Sequence, residues 1–349
     1  MQKIRKNRVR LADVAQASGV SLTAASLALS DKPGVSQETR DRIIEIAQSM
    51  GYRIKVPVSM PKTSAFNTIG LLVRTISGDE PRANQFYSPL LSGIESTARQ
   101  MGINLLYAHL PAGADNIPLE RPALLEKTDI DGLILMGVLV DKPLGTFLEN
   151  RHKPVVLVDS YAPGMQFNSV LSDNEPAAIQ AIEYLIHKGH RHIGFIGGRE
   201  SVFPSLRERR IGYQRALSKH NISSVYFADC SFDGPEISSA AVDLLKKNPK
   251  ITAVMGVNDE TAIRAMFALI EAGYRVPQDI SVIGFDDIYL ANTVVPSLTT
   301  MSVSKTSMGC MAVQMLVNQI YQAEGCTVTS LFRPVLVERN SVANYRSKS

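Results

Sequence analysis

Eight apolar, β-rich runs separated by helical stretches fill the chain from Ile69 onward, and they restrict the fold more than any other feature. The runs are IGLLV (69–73), NLLYA (104–108), GLILM (132–136), VVLVD (155–159), IGFIG (193–197), VYFAD (225–229), AVMGV (253–257) and SVIGF (281–285). Amphipathic stretches fall near 87–101, 174–188, 205–220, 235–247, 259–273 and 305–322. A strand that is apolar without alternation is buried on both faces. Helices between such strands supply the covers, so the pattern predicts parallel α/β sheets. Eight runs over residues 69–349 suit two doubly wound subdomains better than one sheet. An eightfold βα barrel is the architectural alternative.

In open α/β sheets a ligand sits beyond the carboxyl ends of the strands. Arg74 follows the first run, His109 the second, and Asp159 ends the fourth. Gly197-Gly198-Arg199 follows the fifth, Asn258-Asp259 the seventh and Asp286-Asp287 the eighth. Carboxylates, an amide and cations at strand ends make a polar cleft. Such a cleft suits a hydroxyl-rich ligand, because buried hydroxyls need fixed donors and acceptors.

The N-terminal stretch has another pattern. Leu11, Val14 and Ala15 lie on one face of a short helix, and Gly19 can take the left-handed backbone that ends it. Ser21 is a fitting N-cap for a second helix over 22–29, with Ala25, Ala28 and Leu29 inward. Ser36 caps a third, with Ile43, Ile44, Ala47 and Met50 inside and Gly51 closing it. Short helices around a Gly-containing turn form a helix-turn-helix, although a helical hairpin without a nucleic-acid role shows the same pattern. Charge separates the two. Residues 1–62 hold eleven Lys and Arg against five Asp and Glu, a net +6, while the whole chain is +4 and residues 63–349 are therefore −2. A basic head on a near-neutral body fits phosphate binding. On the second helix Ser26 lies one turn from Leu22 and Leu27 one turn from Thr23, a stripe available to a DNA groove. Ala25, Ala28 and Leu29 already supply a core face, so one or both leucines face outward.

LADVAQASGVS, KPGVSQETRDRI and GY resemble the DNA-binding head of the lactose-repressor (LacI) family of bacterial transcription regulators, and the likeness extends over essentially the whole chain. In the body it rests on three segments. RERRIGYQRAL (207–217) matches the family's effector-binding arginine at Arg209. VNDETAIRAMFALIEAG (257–273) matches Asn-Asp-x-x-Ala and carries over Asn258, and ISVIGFDDIYLANTVVPSLTT (280–300) matches Gly-Phe-Asp-Asp and carries over Asp286. Looser matches add Asp159, Phe232, Phe86 and Tyr87 as effector contacts. The resemblance also implies DNA contacts from Ser21, Leu22, Thr23, Ser26, Leu27 and Tyr52. It implies a hinge that forms a helix on DNA and wedges a leucine into the minor groove. Here Pro61 stands at the leucine position, Pro57 precedes it, and Met60 is the apolar residue left to take that role. The implied build is two parallel sheets side by side, crossed near 170, 300 and 331, like periplasmic sugar-binding proteins.

Other classes find little support. No apolar run approaches a bilayer span, and MQKIRKNRVR lacks the apolar segment of a signal peptide. Cys230, Cys310 and Cys326 lack metal-ligand spacing. His187, His190 and His192 fit a helix-to-strand turn better than a metal site. Asp286-Asp287 could be a loop cap, and Arg209 a solvated helix charge beside Arg207 and Arg210. No G-x-S-x-G, P-loop or H-E-x-x-H motif occurs. The expectation is a cytoplasmic, dimeric α/β regulator without cofactor or metal. It has a helix-turn-helix head (1–53), a linker (54–68) and an effector-binding and dimerisation body (69–349). Its expected partners are an operator in double-stranded DNA and a small effector, a sugar or sugar derivative. A solute-binding protein without DNA function and an enzyme of sugar metabolism are the alternatives.

Overall fold

The structure, a computed structural model, describes residues 11–29, 34–50, 66–76, 84–113, 116–198, 203–232, 234–318 and 326–345. The chain forms two compact units, Met1–Ser64 and Ala65–Ser349.

The first unit holds α1 (Leu11–Ala17), α2 (Leu22–Leu29) and α3 (Gln37–Ser49). Val14, Ala28, Leu29, Ile43 and Ala47 form its core, with Leu11, Val20, Val35, Ile44 and Met50 packed around them. Gly19, at φ +66°, ends α1, and the Val20 amide donates to Ala15 O at 3.1 Å, which satisfies a carbonyl of the last turn. The Ala24 amide donates to the Ser21 hydroxyl at 3.1 Å, so Ser21 caps α2. Ser36 caps α3 through the Thr39 amide at 3.3 Å. One head charge is not placed as the charge count implied. Arg40 is 8% exposed and donates to Leu27 O at 3.3 Å and Ala28 O at 3.1 Å, so its guanidinium caps the end of α2. Tyr52, Gly51 and the hinge residues Pro57, Met60 and Pro61 lie outside the described residues.

The second unit begins before residue 68, the expected end of the linker. Phe66 is buried and packs on Gly132, where a Cβ would come within 2.8 Å of the ring. The amides of Asn67 and Thr68 donate to Asp131 at 2.6 and 2.9 Å. From there the elements run β1 (Thr68–Ile76), α4 (Tyr87–Gln100), β2 (Asn104–Ala112), β3 (Gly132–Met136), α5 (Lys142–Asn150), β4 (Val155–Val158), β5 (Asn168–Ser172) and α6 (Asn174–His187). Then come β6 (Ile193–Ile196), α7 (Pro204–Lys219), β7 (Tyr226–Ala228), α8 (Ile237–Lys247), β8 (Ala253–Gly256), α9 (Asp259–Glu271), β9 (Ser281–Asp286) and α10 (Tyr289–Thr293). The last are β10 (Thr299–Ser302), α11 (Lys305–Asn318), β11 (Thr329–Phe332) and β12 (Val335–Val337).

Among the described residues these strands make two open six-stranded sheets, ordered β11-β5-β4-β3-β1-β2 and β12-β10-β9-β8-β6-β7. All pairings are parallel except β10 with β12. Two open sheets exclude the barrel alternative. The chain leaves the first sheet after β5, since α6 packs on α7, β10 and β12. It returns after β10, since α11 packs on α4, β3, β4 and β5, and it crosses again between β11 and β12. One apolar core runs from Ile69 and Ile134 in the first sheet through Ala178 and Tyr213 to Phe285 in the second. The carboxyl ends of both sheets and the crossing segments therefore share one scaffold.

Two strand-end expectations need correction. β1 runs to Ile76, so Arg74 lies two residues inside it rather than after it. β2 continues to Ala112, so His109 is not at a strand end; it is exposed on the edge strand, 3.2 Å from the Tyr107 hydroxyl. The three histidines of 187–192 do not converge. His190 bonds Thr252 at 2.9 Å and Ala343 O at 3.1 Å, His192 bonds the Tyr226 hydroxyl at 3.0 Å, and His187 lies edge-on to His220.

Candidate effector cleft and DNA-reading helix

Arg209 is the centre of the polar cleft. It sits on the second turn of α7, 3% exposed, and each part of its guanidinium is engaged. Nε donates to Asn174 Oδ1 at 3.0 Å and Nη1 to Val257 O at 3.0 Å. Nη2 lies 3.0 Å from Asp286 Oδ1, and Cζ stacks 3.8 Å from the Phe285 ring centroid. The Nη2 contact is a close ion pair poorly aligned as a hydrogen bond, so the buried Asp286 Oδ1 has a counter-charge but no well-aligned donor. A buried acceptor in that condition is destabilising until something donates to it.

Asp286 ends β9 at φ +115°, a backbone that favours glycine, and Asp287 follows at φ +57°. The turn is held from outside. Lys305 Nζ donates to the carbonyls of Asp286 and Asp287, the latter at 3.0 Å, and Arg339 pairs with the Asp287 carboxylate at 2.6 Å. Behind it, the fully buried Asp259 accepts from the Ile288 amide at 2.9 Å and from the Thr300 hydroxyl. Burial pushes the Asp286 carboxyl up, opposed by the charges of Arg209 and Lys305.

Asp159 lies across the first sheet's strand ends at φ +46°. The Tyr87 hydroxyl donates to its Oδ2 at 3.1 Å. Gly137 makes this possible, since a Cβ there would stand 2.3 Å from that hydroxyl. Burial raises the Asp159 carboxyl to about 7; Arg209 pulls it down and Asp286 pushes it up. Burial, and then the Asp159 charge, hold the Tyr87 hydroxyl well above its ordinary value.

The remaining expected residues frame this centre. Asn258 caps α9, its Oδ1 accepting from the Thr261 amide at 2.8 Å, which leaves Nδ2 as the donor it can offer. Phe232 is edge-on to Phe203 with centroids 5.1 Å apart. Phe86 is edge-on to Tyr87 at 5.2 Å, and Lys305 Nζ is 6.0 Å from its ring centroid.

Sequence reasoning missed several neighbours. Asn174, 1% exposed at the start of α6, bonds Arg209 and also donates to Glu208 at 3.0 Å. Glu208, on α7, accepts from the Tyr161 hydroxyl at 3.3 Å, a bond from the first sheet's loops to the second sheet's helix. Burial raises the Glu208 carboxyl, and its hydrogen bonds from Asn174 and Tyr161 oppose that. Arg74, which the sequence already offered as a cleft cation, lies two residues before the end of β1, its Cζ 4.9 Å from the Phe203 ring centroid. Adjacency to Arg209 was the available signal for Glu208; Asn174 and Tyr161 had none.

In the head, Ser21, Leu22, Thr23 and Ser26 are exposed on α2, and Leu22 stands at 54%. Leu27 is only partly exposed. A Cβ on Gly34 would lie 3.3 Å from its Cδ1, so one side of Leu27 packs on the loop before α3. The moderate helix-forming tendency of LTAASLAL is supported by the cap at each end, from Ser21 and Arg40.

Residues 10–54 match the family model described as "Bacterial regulatory proteins, lacI family", and residues 182–342 match "Periplasmic binding protein-like domain". The HTH-type transcriptional regulator GalS of Salmonella typhimurium is 30% identical over 340 residues, 96% of this chain and 97% of that protein. The chain belongs to the lacI family of bacterial regulatory proteins. It is a DNA-binding transcriptional regulator and not an enzyme. The probable repressor ExuR of Bacillus subtilis is 29% identical over 337 residues, 96% of this chain and 98% of that one. Among solved structures, a complex of the transcriptional regulator CelR with cellobiose superposes with a TM-score of 0.67 at 26% identity, over 96% of this chain and 100% of that one. No helix among the described residues is long and apolar enough to cross a membrane.

Proposed function

We propose that this regulator is a dimeric, cytoplasmic repressor that reads an operator with α2 and is switched by a sugar-like effector bound around Arg209 and Asp286. Ser21, Leu22, Thr23, Ser26 and Leu27 are the groove-facing residues, with Tyr52 and Met60 adding contacts from the segment after α3. Arg209, Asn258, Asp286, Asp159, Phe232, Phe86 and Tyr87 contact the effector. The observation that carries the effector half is Asp286 Oδ1, buried and without a well-aligned hydrogen-bond donor beside an engaged Arg209. A ligand hydroxyl is the donor it lacks. Cellobiose in the CelR complex supports the choice of a sugar. Exposed Phe267 and Ile270, one turn apart on α9, support a dimer contact in the second sheet's half. Two heads then read a pseudo-palindrome.

Gel-shift of the full chain against genomic fragments tests the DNA half. A small fragment set sharing a pseudo-palindrome is the expected result; uniform weak retardation of every fragment would reject sequence-specific reading. Calorimetry with a panel of mono- and disaccharides tests the cleft. Binding that vanishes in Asp286→Ala supports the site, and binding that persists there places the ligand elsewhere.

A further inference from the structure

Among the described residues, Arg74 is a cation that the cleft's own bonds leave unused. Arg209 is engaged at Nε, Nη1 and Nη2, and Lys305 is held by backbone carbonyls. Arg74 has neither kind of partner. Its Nε is buried with no hydrogen-bond acceptor, and its one described contact is the Phe203 ring. No carboxylate among the described residues forms an ion pair with it. A guanidinium has five donors in a planar fork, and one that is partly enclosed without an anion is destabilising.

Strand register places that cation in the cleft. Val73 pairs with Met136, and Met136 pairs with Val158. The next residues along the three neighbouring strands are therefore Arg74, Gly137 and Asp159, in one row just past the ends of β3 and β4 and two residues before the end of β1. Gly137 brings no side chain, and the Tyr87 hydroxyl takes the space between. Two strand spacings separate the backbones of Arg74 and Asp159, about 10 Å. The Tyr87 hydroxyl senses the charges of Asp159, Arg74 and Asp286 together, which puts all three around one volume. Arg74 also leans on Phe203, the residue that leads into α7 of the opposite half. An anion held by Arg74 thus bears on both sides of the cleft.

We infer that the effector carries an anionic group, a carboxylate or a phosphate on a polyhydroxylated carbon skeleton, and that Arg74 binds it. The inference rests on the cleft around Arg209 and Asp286 being the effector site. It divides the ligand: hydroxyls face Asp286 and Asp159, and the anion faces Arg74. A neutral sugar offers the guanidinium hydroxyl acceptors but no counter-charge. A bidentate oxyanion supplies one, with charge-assisted bonds stronger than neutral ones.

The test is calorimetry on the full chain with matched pairs: glucose against glucuronate and glucose 6-phosphate, galactose against galacturonate, with wild type, Arg74→Met and Arg74→Lys. In wild type an acidic member of a pair binds roughly ten- to a hundredfold more tightly than its neutral parent. Arg74→Met removes that preference, and Arg74→Lys restores part of it. The carboxylate and phosphate arms identify which anion the fork accepts. A purely structural role for Arg74 would lower acidic and neutral affinities together and leave their ratio unchanged, which overturns the inference. Equal wild-type binding of neutral and acidic members also overturns it, while leaving the cleft reading intact. If no member of the panel binds or changes operator affinity, both readings fall.

Discussion

Replacing Arg209 with methionine keeps an unbranched side chain but removes all the donors of its guanidinium. Asn174 loses a 3.0 Å bond, Val257 O loses its 3.0 Å donor, Asp286 loses its counter-charge, and the Phe285 ring loses the stacked guanidinium. At 3% exposure no solvent is at hand to replace them. Removing one partner of a buried ion pair costs about 3–5 kcal/mol, because the other charge is left uncompensated. The loss depends on pH in a defined direction. Asp159 has a folded value raised from 3.8 to about 7, so its contribution to stability is full below about pH 4 and is lost as pH rises through 7. Asp286 is raised as well, and its contribution has the same sign. Arg209 pulls both down, so without it both move further up and stay neutral over more of the range. The variant's penalty is therefore smaller at pH 5, where Asp159 is protonated, and larger at pH 8, where burial and the Asp286 charge oppose its ionisation. Urea unfolding followed by far-UV circular dichroism measures this, since the chain has no Trp to report. A penalty under about 1 kcal/mol at pH 8, or one equal at the two pH values, refutes the role of Arg209 as the cleft's counter-charge.

Three further perturbations separate the parts of the molecule. Leu27 has no donor for guanine and packs on one side against the loop at Gly34, so its free side suits a thymine methyl. Leu27→Arg should shift preference toward guanine at one symmetric position per half-site by about 1–3 kcal/mol in selection from random sequences; an unchanged selected site would make Leu27 core. Operator affinity should fall with salt at a log–log slope near −9 for a dimer, from about five phosphates per head at ~0.9 each; a slope shallower than about −3 argues against the head as the DNA surface. Arg40→Met removes the cap on the end of α2, worth about 1.5–3 kcal/mol for bonds from a charged group. Hydrogen exchange should then speed up across α2, and unchanged protection would show that the cap is dispensable.

The parts of the fold that were legible in the sequence are those where burial leaves a compositional mark. GLILM and VVLV are buried at every position as β3 and β4, and nothing polar interrupts them. The strands that escaped notice are the crossing ones. β5, NSVLS, is mostly buried but carries Asn168 and two serines, because the backbone of the returning chain pairs there through Asn168 Oδ1 to the Val328 amide at 2.7 Å and Ser169 to Thr329 at 3.0 Å. β11 and β12 are edge strands of four and three residues, too short for a pattern. α5 was overlooked although Asp141 caps it, with Leu144 N donating at 3.0 Å.

The cleft divides along the same line. Arg209 and Asp286 stand in segments with a recognisable motif. Asn174 and Tyr161 reach the site only through the crossing between sheets, which no local pattern encodes. Arg40 shows the opposite error: a charge counted toward solvent and phosphate is turned into the head because two helix-end carbonyls needed a donor.

The central claim is that occupancy of the cleft sets the grip of α2 on DNA. Fluorescence anisotropy of a labelled operator fragment, titrated with the full chain in the absence and presence of saturating cleft ligand, measures it directly. The account predicts operator affinities that differ by a coupling of about 1–3 kcal/mol, and that become equal in Asp286→Ala. Identical wild-type affinities with the cleft empty and demonstrably full would contradict it.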